Sequence, residues 1–400
     1  MHAQKLRLCY LADLRSSHAR RWVDYFARRG HSVAVLSPPF SEGLPSRPTP
    51  GAFASNQTAP TREGEDLESV HVHRLFRKPG LPKLLQLTNV LLLRRVLESF
   101  RPHVLHAHYV RIYGWIAALS FFRPLVVTVW GGDILEDQGA FSDFLGRKLT
   151  PFTLRRADLV TAHSAFLKQR VIELGKQEEL VRMIGCPGVD RRLFRPGLDT
   201  TSLRHELGLG ESRLVLCTRL MGELYNTETM LRAVPLVLRK APKTKFLFSE
   251  YMAHTPYVDR MKTLARELSV EGSVLFLERI PHERMPLFLN LAEVFVSIPD
   301  SDGMPQSLLE AVSCGTVPLV SNLPQYEGLI KNSVNALTVS HKDPSSVGEA
   351  VVRLLNDSSL RSRLSEACIN TSADCMDYET EMEKMEKLYY ELGHVRVQRG

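Results

Sequence analysis

Ser301-Asp302-Gly303-Met304-Pro305-Gln306-Ser307-Leu308-Leu309-Glu310-Ala311-Val312-Ser313-Cys314-Gly315 follows the short apolar run Val294–Ser297. That run has the length and β-branched content of a buried strand, and the residues beyond Pro305 carry a helical apolar pattern closed by Gly315. Strand, glycine-bearing loop, then helix is one βα step of a doubly wound sheet. Gly303 allows a tight turn and close backbone approach, and Pro305 suits the first helical position. Amides that open such a helix lack intrahelical partners and make a ready site for a diphosphate. Glu310 lies one to two turns in, its side chain leaning back toward that start. A carboxylate there can accept two hydrogen bonds from a vicinal diol such as ribose. Asp302, on the preceding loop, can reach hydroxyls on the other side of the phosphates. A lone turn of this kind is more often structural, with solvated or capping carboxylates. Here the acidic pair, the glycine, the proline and the place after a strand agree.

Outward from this stretch the same alternation recurs. In the second half, apolar runs stand at 213–217, 245–248, 273–277, 294–297, 317–320 and 336–339. In the first half they stand at 6–11, 32–36, 71–75, 103–106, 125–129, 159–162 and 181–184. Continuous apolar strands with helical patterns between them predict parallel sheets covered on both faces. Two successive sets predict two doubly wound domains, 1–198 and 199–377, meeting near Pro196-Gly197, each binding ligand at the carboxyl ends of its strands. Residues 38–66 form a Pro/Ser/Gly/Thr-rich insert too long for a simple connection. Tyr378, Met382, Met385, Leu388, Tyr389 and Leu392 recur at helical spacing, so residues 378–400 form an amphipathic final helix. A dinucleotide-binding oxidoreductase would carry a glycine-rich turn after its first strand; Asp13-Leu14-Arg15-Ser16-Ser17-His18 holds no glycine.

The 400 residues are 44% hydrophobic and 24% charged, the balance of a globular protein large enough for two cores. Six cysteines without paired spacing read as buried thiols in a reducing compartment, not as disulfides or a zinc site. The N-terminus has no apolar leader, and the most apolar stretch, Tyr113 to Trp130, is broken by Arg123-Pro124. A cytoplasmic protein is expected. Net charge is +7 but uneven: residues 1–198 hold 29 Lys and Arg against 17 Asp and Glu (+12), leaving 22 against 27 (−5) in the rest. No nucleic-acid-binding motif accompanies the basic half. An anionic membrane surface or a phosphate-bearing acceptor fits it better, and a merely solvated basic face fits equally well.

The central stretch resembles the family 4 (group 1) retaining glycosyltransferases of the GT-B fold. Their mark is an acidic residue, seven residues, then Glu, running into E-A-x-A-x-G-x-P; here it stands as Asp302…Glu310-Ala311-Val312-Ser313-Cys314-Gly315-Thr316-Val317-Pro318. Similarity extends over Ser17 to Val33, Leu105 to Tyr109, Val127 to Asp133, Ala157 to Ser164 and Gly188-Val189-Asp190, nearly the whole chain. The resemblance implies two Rossmann-like α/β domains with a cleft between them and a final helix crossing back onto the first. It implies that Glu310 binds the nucleotide ribose, that Asp302 touches the transferred sugar, and that Arg219 binds the donor diphosphate. Gly303, Met304, Pro305, Ser307 and Leu308 would complete the donor side. Ser17, His108, Trp130 and Asp133 fall on the acceptor side; for His108 a structural hydrogen bond at a strand end is an equal reading. The nucleotide-sugar is a substrate, and neither a cofactor nor a metal is expected.

Three departures stand out. Asp302 is one methylene shorter than the usual Glu. Arg219 is followed by Leu220-Met221-Gly222-Glu223, without the lysine that partners this arginine in relatives. Trp130 stands where many relatives have histidine, so no side-chain base is evident. Asp300-Ser301-Asp302 spells the metal-holding triplet of a different glycosyltransferase fold and reads as coincidence. The expected activity is transfer of a sugar, from a UDP-sugar, to a glycan or polyprenyl- or lipid-linked acceptor in cell-surface polysaccharide synthesis, with a peripheral site on the inner face of the plasma membrane. Arg74, Arg77, Lys78 and Lys83 before Leu84–Leu93, then Arg94-Arg95, form a stretch able to lie on anionic lipid or to fold as a core helix with solvated ends. The alternatives are a GT-B nucleotide- or glycan-binding protein without turnover, and a sugar-nucleotide epimerase.

Overall fold

The computed structural model describes residues 5–14, 16–38, 70–75, 88–135, 140–185, 188–250, 253–278, 280–374 and 377–397. Most of the 38–66 insert, the run from Arg77 to Leu87, Cys186, Cys375 and the side chain of Ser17 lie outside the described residues. The chain divides into two units, Met1–Pro187 with Glu379–Gly400, and Gly188–Tyr378.

The first unit is built on seven parallel strands: β1 (Arg7–Leu11), β2 (Ser32–Ser37), β3 (Val70–Arg74), β4 (Val104–His108), β5 (Leu125–Thr128), β6 (Leu159–Ala162) and β7 (Val181–Met183). Their order is β3-β2-β1-β4-β5-β6-β7, so the winding reverses between β1 and β4. β4 is buried along its whole length, whereas the edge strand β3 is largely open. Side chains alternate across the sheet. Leu105 and Ala107 join the core on one face; His106 and His108 point to the other, toward Trp22.

The last helix, Tyr378–Val397, covers that other face, with Met382, Met385 and Tyr389 fully buried. A chain of hydrogen bonds ties it down. Trp22 Nε1 can only donate, and does so to the Tyr389 hydroxyl at 3.1 Å. That hydroxyl also lies 2.5 Å from His106 Nδ1, and His106 Nε2 lies 2.7 Å from Thr128 Oγ1. Thr128 in turn meets Thr161 at 2.6 Å. Beside it, Glu386 takes His31 Nε2 and Arg29, both at 2.7 Å. The Leu6 amide donates to His31 Nδ1, which fixes the proton on Nε2. Apart from the exposed Arg29 these groups are buried, so each bond among them matters more than its surface counterpart.

The second unit holds β8 (Arg213–Cys217), β9 (Thr244–Ser249), β10 (Val274–Leu277), β11 (Val294–Ser297), β12 (Val317–Ser321) and β13 (Leu337–Val339), all parallel in the order β10-β9-β8-β11-β12-β13. Its winding reverses between β8 and β11. Val215 and Cys217 enter the core on one face, Leu214 and Leu216 the core on the other, so both faces are covered. The division between units falls at Pro187–Gly188, earlier than the Pro196-Gly197 boundary read from sequence. Val189 and Phe194 explain the difference: both are buried in the second core, and Val189 bridges Asp377. Cys9, Cys217, Cys314 and Cys368 are free and buried, and burial pushes the Cys9 thiol up to about 12.

Candidate active site

In the second unit the winding reversal brings the carboxyl ends of β8 and β11 side by side, the place where open α/β sheets bind ligands. Arg219 follows β8 and Asp302 follows β11. Arg219 Nη2 donates to Asp302 Oδ2 at 2.8 Å and Nη1 to Ser307 Oγ at 3.2 Å. Its guanidinium lies 4.8 Å from the centre of the Tyr225 ring, and its Nε has no hydrogen-bond partner among the described residues. Asp302 Oδ2 also accepts from the Tyr326 hydroxyl at 3.1 Å, and Oδ1 accepts from the Gly303 amide at 2.9 Å. Burial first, then the Asp302 carboxylate, push the Tyr326 hydroxyl well up, so it remains a donor.

The helix begins at Gln306, one residue later than read from sequence. Pro305 stands just outside it at φ −71° and ψ 127°: the ring sets only φ, and its ψ keeps the backbone extended. No side chain caps this start. Ser307 lies in the first turn, and the buried Leu308 faces the core. Gln306 is anchored by donating to the Gly188 carbonyl at 2.8 Å. At the far end Gly315 takes φ 73°, and a Cβ there would stand 3.0 Å from Ser365 Oγ. Glu310 is buried, its Oε1 2.9 Å from His282 Nε2. The His282 ring packs 5.1 Å from that of Phe194. Sequence reading missed His282, although its place after β10, at a strand's carboxyl end, was available as a signal. Asp300 pairs with Lys342, His341 and Asn226. Among the described residues, no group of three His, Cys, Asp or Glu could hold a metal.

In the first unit, His108, Trp130 and Asp133 gather at the ends of β4 and β5. Asp133 is not placed to meet an acceptor, contrary to the sequence reading. It is fully buried, with Oδ2 accepting from the Val110 amide at 2.7 Å and Oδ1 from the Trp130 and Gly131 amides at 3.0 and 2.9 Å. It pins the two strand ends together. Burial, against these amides, raises its carboxyl to about 6. His108 is buried against Trp22, Tyr10, His106 and Trp130, and neither ring nitrogen has a partner among the described residues.

Two family models match nearly all of the chain: a glycosyl transferase 4-like domain over residues 16–187, and glycosyl transferases group 1 over residues 199–371. The chain belongs to the group 1 glycosyltransferases. The second match contains Arg219, Asp302 and Glu310, and the first contains His108 and Trp130. A GDP-mannose-dependent alpha-(1-6)-phosphatidylinositol monomannoside mannosyltransferase of Mycolicibacterium smegmatis is 30% identical over 41% of this chain and 44% of its own length. A D-inositol 3-phosphate glycosyltransferase of Acidothermus cellulolyticus is 27% identical over 52% of this chain and 47% of its own. The chain thus spans about half the length of these curated relatives. Among solved structures, Anabaena Alr3699/HepE in complex with UDP and glucose superposes with a TM-score of 0.75 at 16% identity, covering 97% of this chain and 100% of its own. That likeness establishes the GT-B fold for this glycosyltransferase family member.

Proposed function

We propose that the protein is a retaining glycosyltransferase that moves a sugar from a UDP-sugar to a glycan or lipid-linked acceptor in cell-surface polysaccharide synthesis. The observation that carries this reading is the cluster of Arg219, Asp302, Ser307 and Glu310 around one uncapped helix start at the winding reversal. In it, the helix amides and Arg219 hold the diphosphate, Glu310 receives the ribose hydroxyls, and Asp302 bonds the transferred sugar. The bond from the sugar's anomeric carbon to the diphosphate breaks, and the acceptor oxygen bonds that carbon on the same face. The acceptor's proton passes to the departing phosphate oxygen, so no side-chain base is required and Trp130 is compatible with turnover.

Lipid-linked acceptors gain support from one relative, whose name carries phosphatidylinositol. A peripheral site on the cytoplasmic face of a membrane is supported by the helix Asn89–Phe100, where Leu91 is 65% exposed beside Arg94 and Arg95. No helix among the described residues is long and apolar enough to cross a membrane. The rival without turnover has one observation in its favour: with no lysine after Arg219, the arginine's charge is already matched by Asp302.

Incubation with UDP-, GDP- and ADP-sugars, with and without cell-envelope lipid and glycan acceptors, tests the reading. Acceptor-dependent nucleotide release that Glu310→Ala abolishes supports it. Tight nucleotide binding without release against every acceptor supports the rival.

A further inference from the structure

The Glu310 carboxylate stands on a long, flexible stem in the helix Gln306–Ser313, and the side chain is 5% exposed. Its contact with His282 Nε2, 2.9 Å from Oε1, is the one hydrogen bond this carboxylate makes among the described residues. A carboxylate can only accept, so the bond requires a proton on Nε2. Oε2 makes no such bond among the described residues, yet it is not one of the fully buried atoms, so it stays open to a ligand. Each carboxylate oxygen has about two acceptor sites, so Oε1 can hold His282 and still receive a hydroxyl. His282 is itself fixed from several sides. It follows β10 in the turn that opens the helix Met285–Leu291, where the Arg284 and Met285 amides donate to the Pro281 carbonyl at 3.0 and 3.1 Å. Arg284 forks onto Glu206 at 3.1 and 2.5 Å, and Ile280 and Pro286 are buried on either side. The imidazole packs on the ring of Phe194, which is buried in the second core.

We infer that His282 is a positioning residue that turns the Glu310 carboxylate to receive both hydroxyls of a ribose, and that it thereby makes the protein select ribonucleoside over 2′-deoxyribonucleoside diphosphates. The inference rests on the proposed reading of Glu310 as the ribose contact and adds what holds that contact in place. A glutamate free to turn loses rotamer entropy when a ligand orders it. With His282 on Oε1, the ordering is done before the ligand arrives. A site built to bond a hydroxyl rejects the analogue lacking it, because a buried acceptor is left unpaired. That penalty is felt in full when the acceptor cannot swing away to water, and the bond to His282 is what prevents the swing. Without the bond, both the gain from the diol and the penalty for its absence shrink. A histidine that only packed the turn against Phe194 would affect every nucleotide alike.

The test is titration calorimetry on the full chain with UDP, GDP and ADP and the 2′-deoxy counterpart of each. The nucleotide that the wild type binds best should bind about tenfold to a hundredfold more tightly than its deoxy form. H282A should weaken the ribo form about tenfold and the deoxy form less than about threefold. H282Q, whose amide nitrogen can take the place of Nε2, should restore the difference. H282F keeps a ring against Phe194 without the donor and should behave as H282A does; it serves where H282A does not fold. Equal weakening of both forms in H282A and H282F, or a ribo preference that survives them, overturns the inference. If Glu310→Ala still abolishes that preference, the reading of Glu310 stands. A ribo preference that Glu310→Ala leaves intact overturns that reading and the inference with it. So does a wild type that binds no nucleotide or has no ribo preference.

Discussion

Replacing Asp302 with asparagine removes one negative charge from the place where a donor diphosphate would bring two. In the protein Asp302 lies 2.8 Å from Arg219, with the two side chains only 12% and 16% exposed. At an effective dielectric of about 20, two unit charges about 4 Å apart interact by about 4 kcal/mol. A diphosphate on Arg219 would meet the Asp302 carboxylate as a like charge at somewhat longer range. Partial exposure and the asparagine's own dipole reduce the difference to about 1–2 kcal/mol. The substituted side chain keeps a carbonyl oxygen that can accept from Arg219 and Tyr326, while the Gly303 amide loses its acceptor. D302N is therefore expected to bind the free nucleoside diphosphate about tenfold more tightly, whichever of UDP, GDP and ADP the wild type prefers. Its sugar transfer should fall about a hundredfold, because a contact to the sugar and part of the transition-state field are lost. Titration calorimetry at two salt concentrations reads the first effect, which should shrink as salt rises. Weaker diphosphate binding in D302N at low salt would refute the electrostatic account and make Asp302 an anchor for Arg219 rather than its competitor.

Two further outcomes follow from the first unit. Tyr389→Phe removes the hydroxyl joining Trp22 to His106 and leaves both buried polar groups unpaired; urea unfolding should show a loss of about 2–4 kcal/mol, and a loss below about 0.5 kcal/mol would contradict the network. His108 and His163 titrate near 6.5 when unfolded but are pushed to about 3 and about 4 when folded. As pH falls from about 6.5 to about 4 the unfolded chain binds protons that the folded chain refuses, so stability drops by about 1.4 kcal/mol per pH unit for each ring. A pH series of unfolding midpoints should be shallower for H108F than for the wild type.

What the sequence made legible and what it hid divide along one physical line. Both sheets could be read because central parallel strands are largely apolar, and β4, which carries His106 and His108, is buried throughout like β11 and β12. The placement of Asp302 and Glu310 beside one helix start could be read because strand, loop and helix start are one local unit of chain. Pro305 shows where local reading stops: its ring fixes φ, but ψ is set by the loop, and the helix begins a residue later. Asp133 shows it more plainly. An acidic residue after two glycines at a strand end looks like a ligand contact, yet the amides it holds come from two separate strand ends.

The residues that sequence reading missed act through partners distant in the chain. His282 reaches Glu310 from the end of β10, and Tyr326 reaches Asp302 from beyond β12. Neither sits in a motif, because the sheet order, not the chain order, brings them together. The imidazoles of His18, His108 and His163 around Trp130 have the same origin: β1, β4, β5 and β6 are neighbours in the sheet but far apart in sequence. This bears on the departure at Trp130. Read alone, replacing histidine by tryptophan after β5 looks like a lost catalytic group. In the fold, imidazoles remain there in His108 and His163, displaced to adjacent strands, neutral and buried, while the indole occupies the middle. A group so reluctant to take a proton is poorly suited to general-base work near pH 7. Under the proposed transfer, which gives the acceptor's proton to the leaving phosphate, no base would be asked of these rings, and the change at Trp130 would cost none.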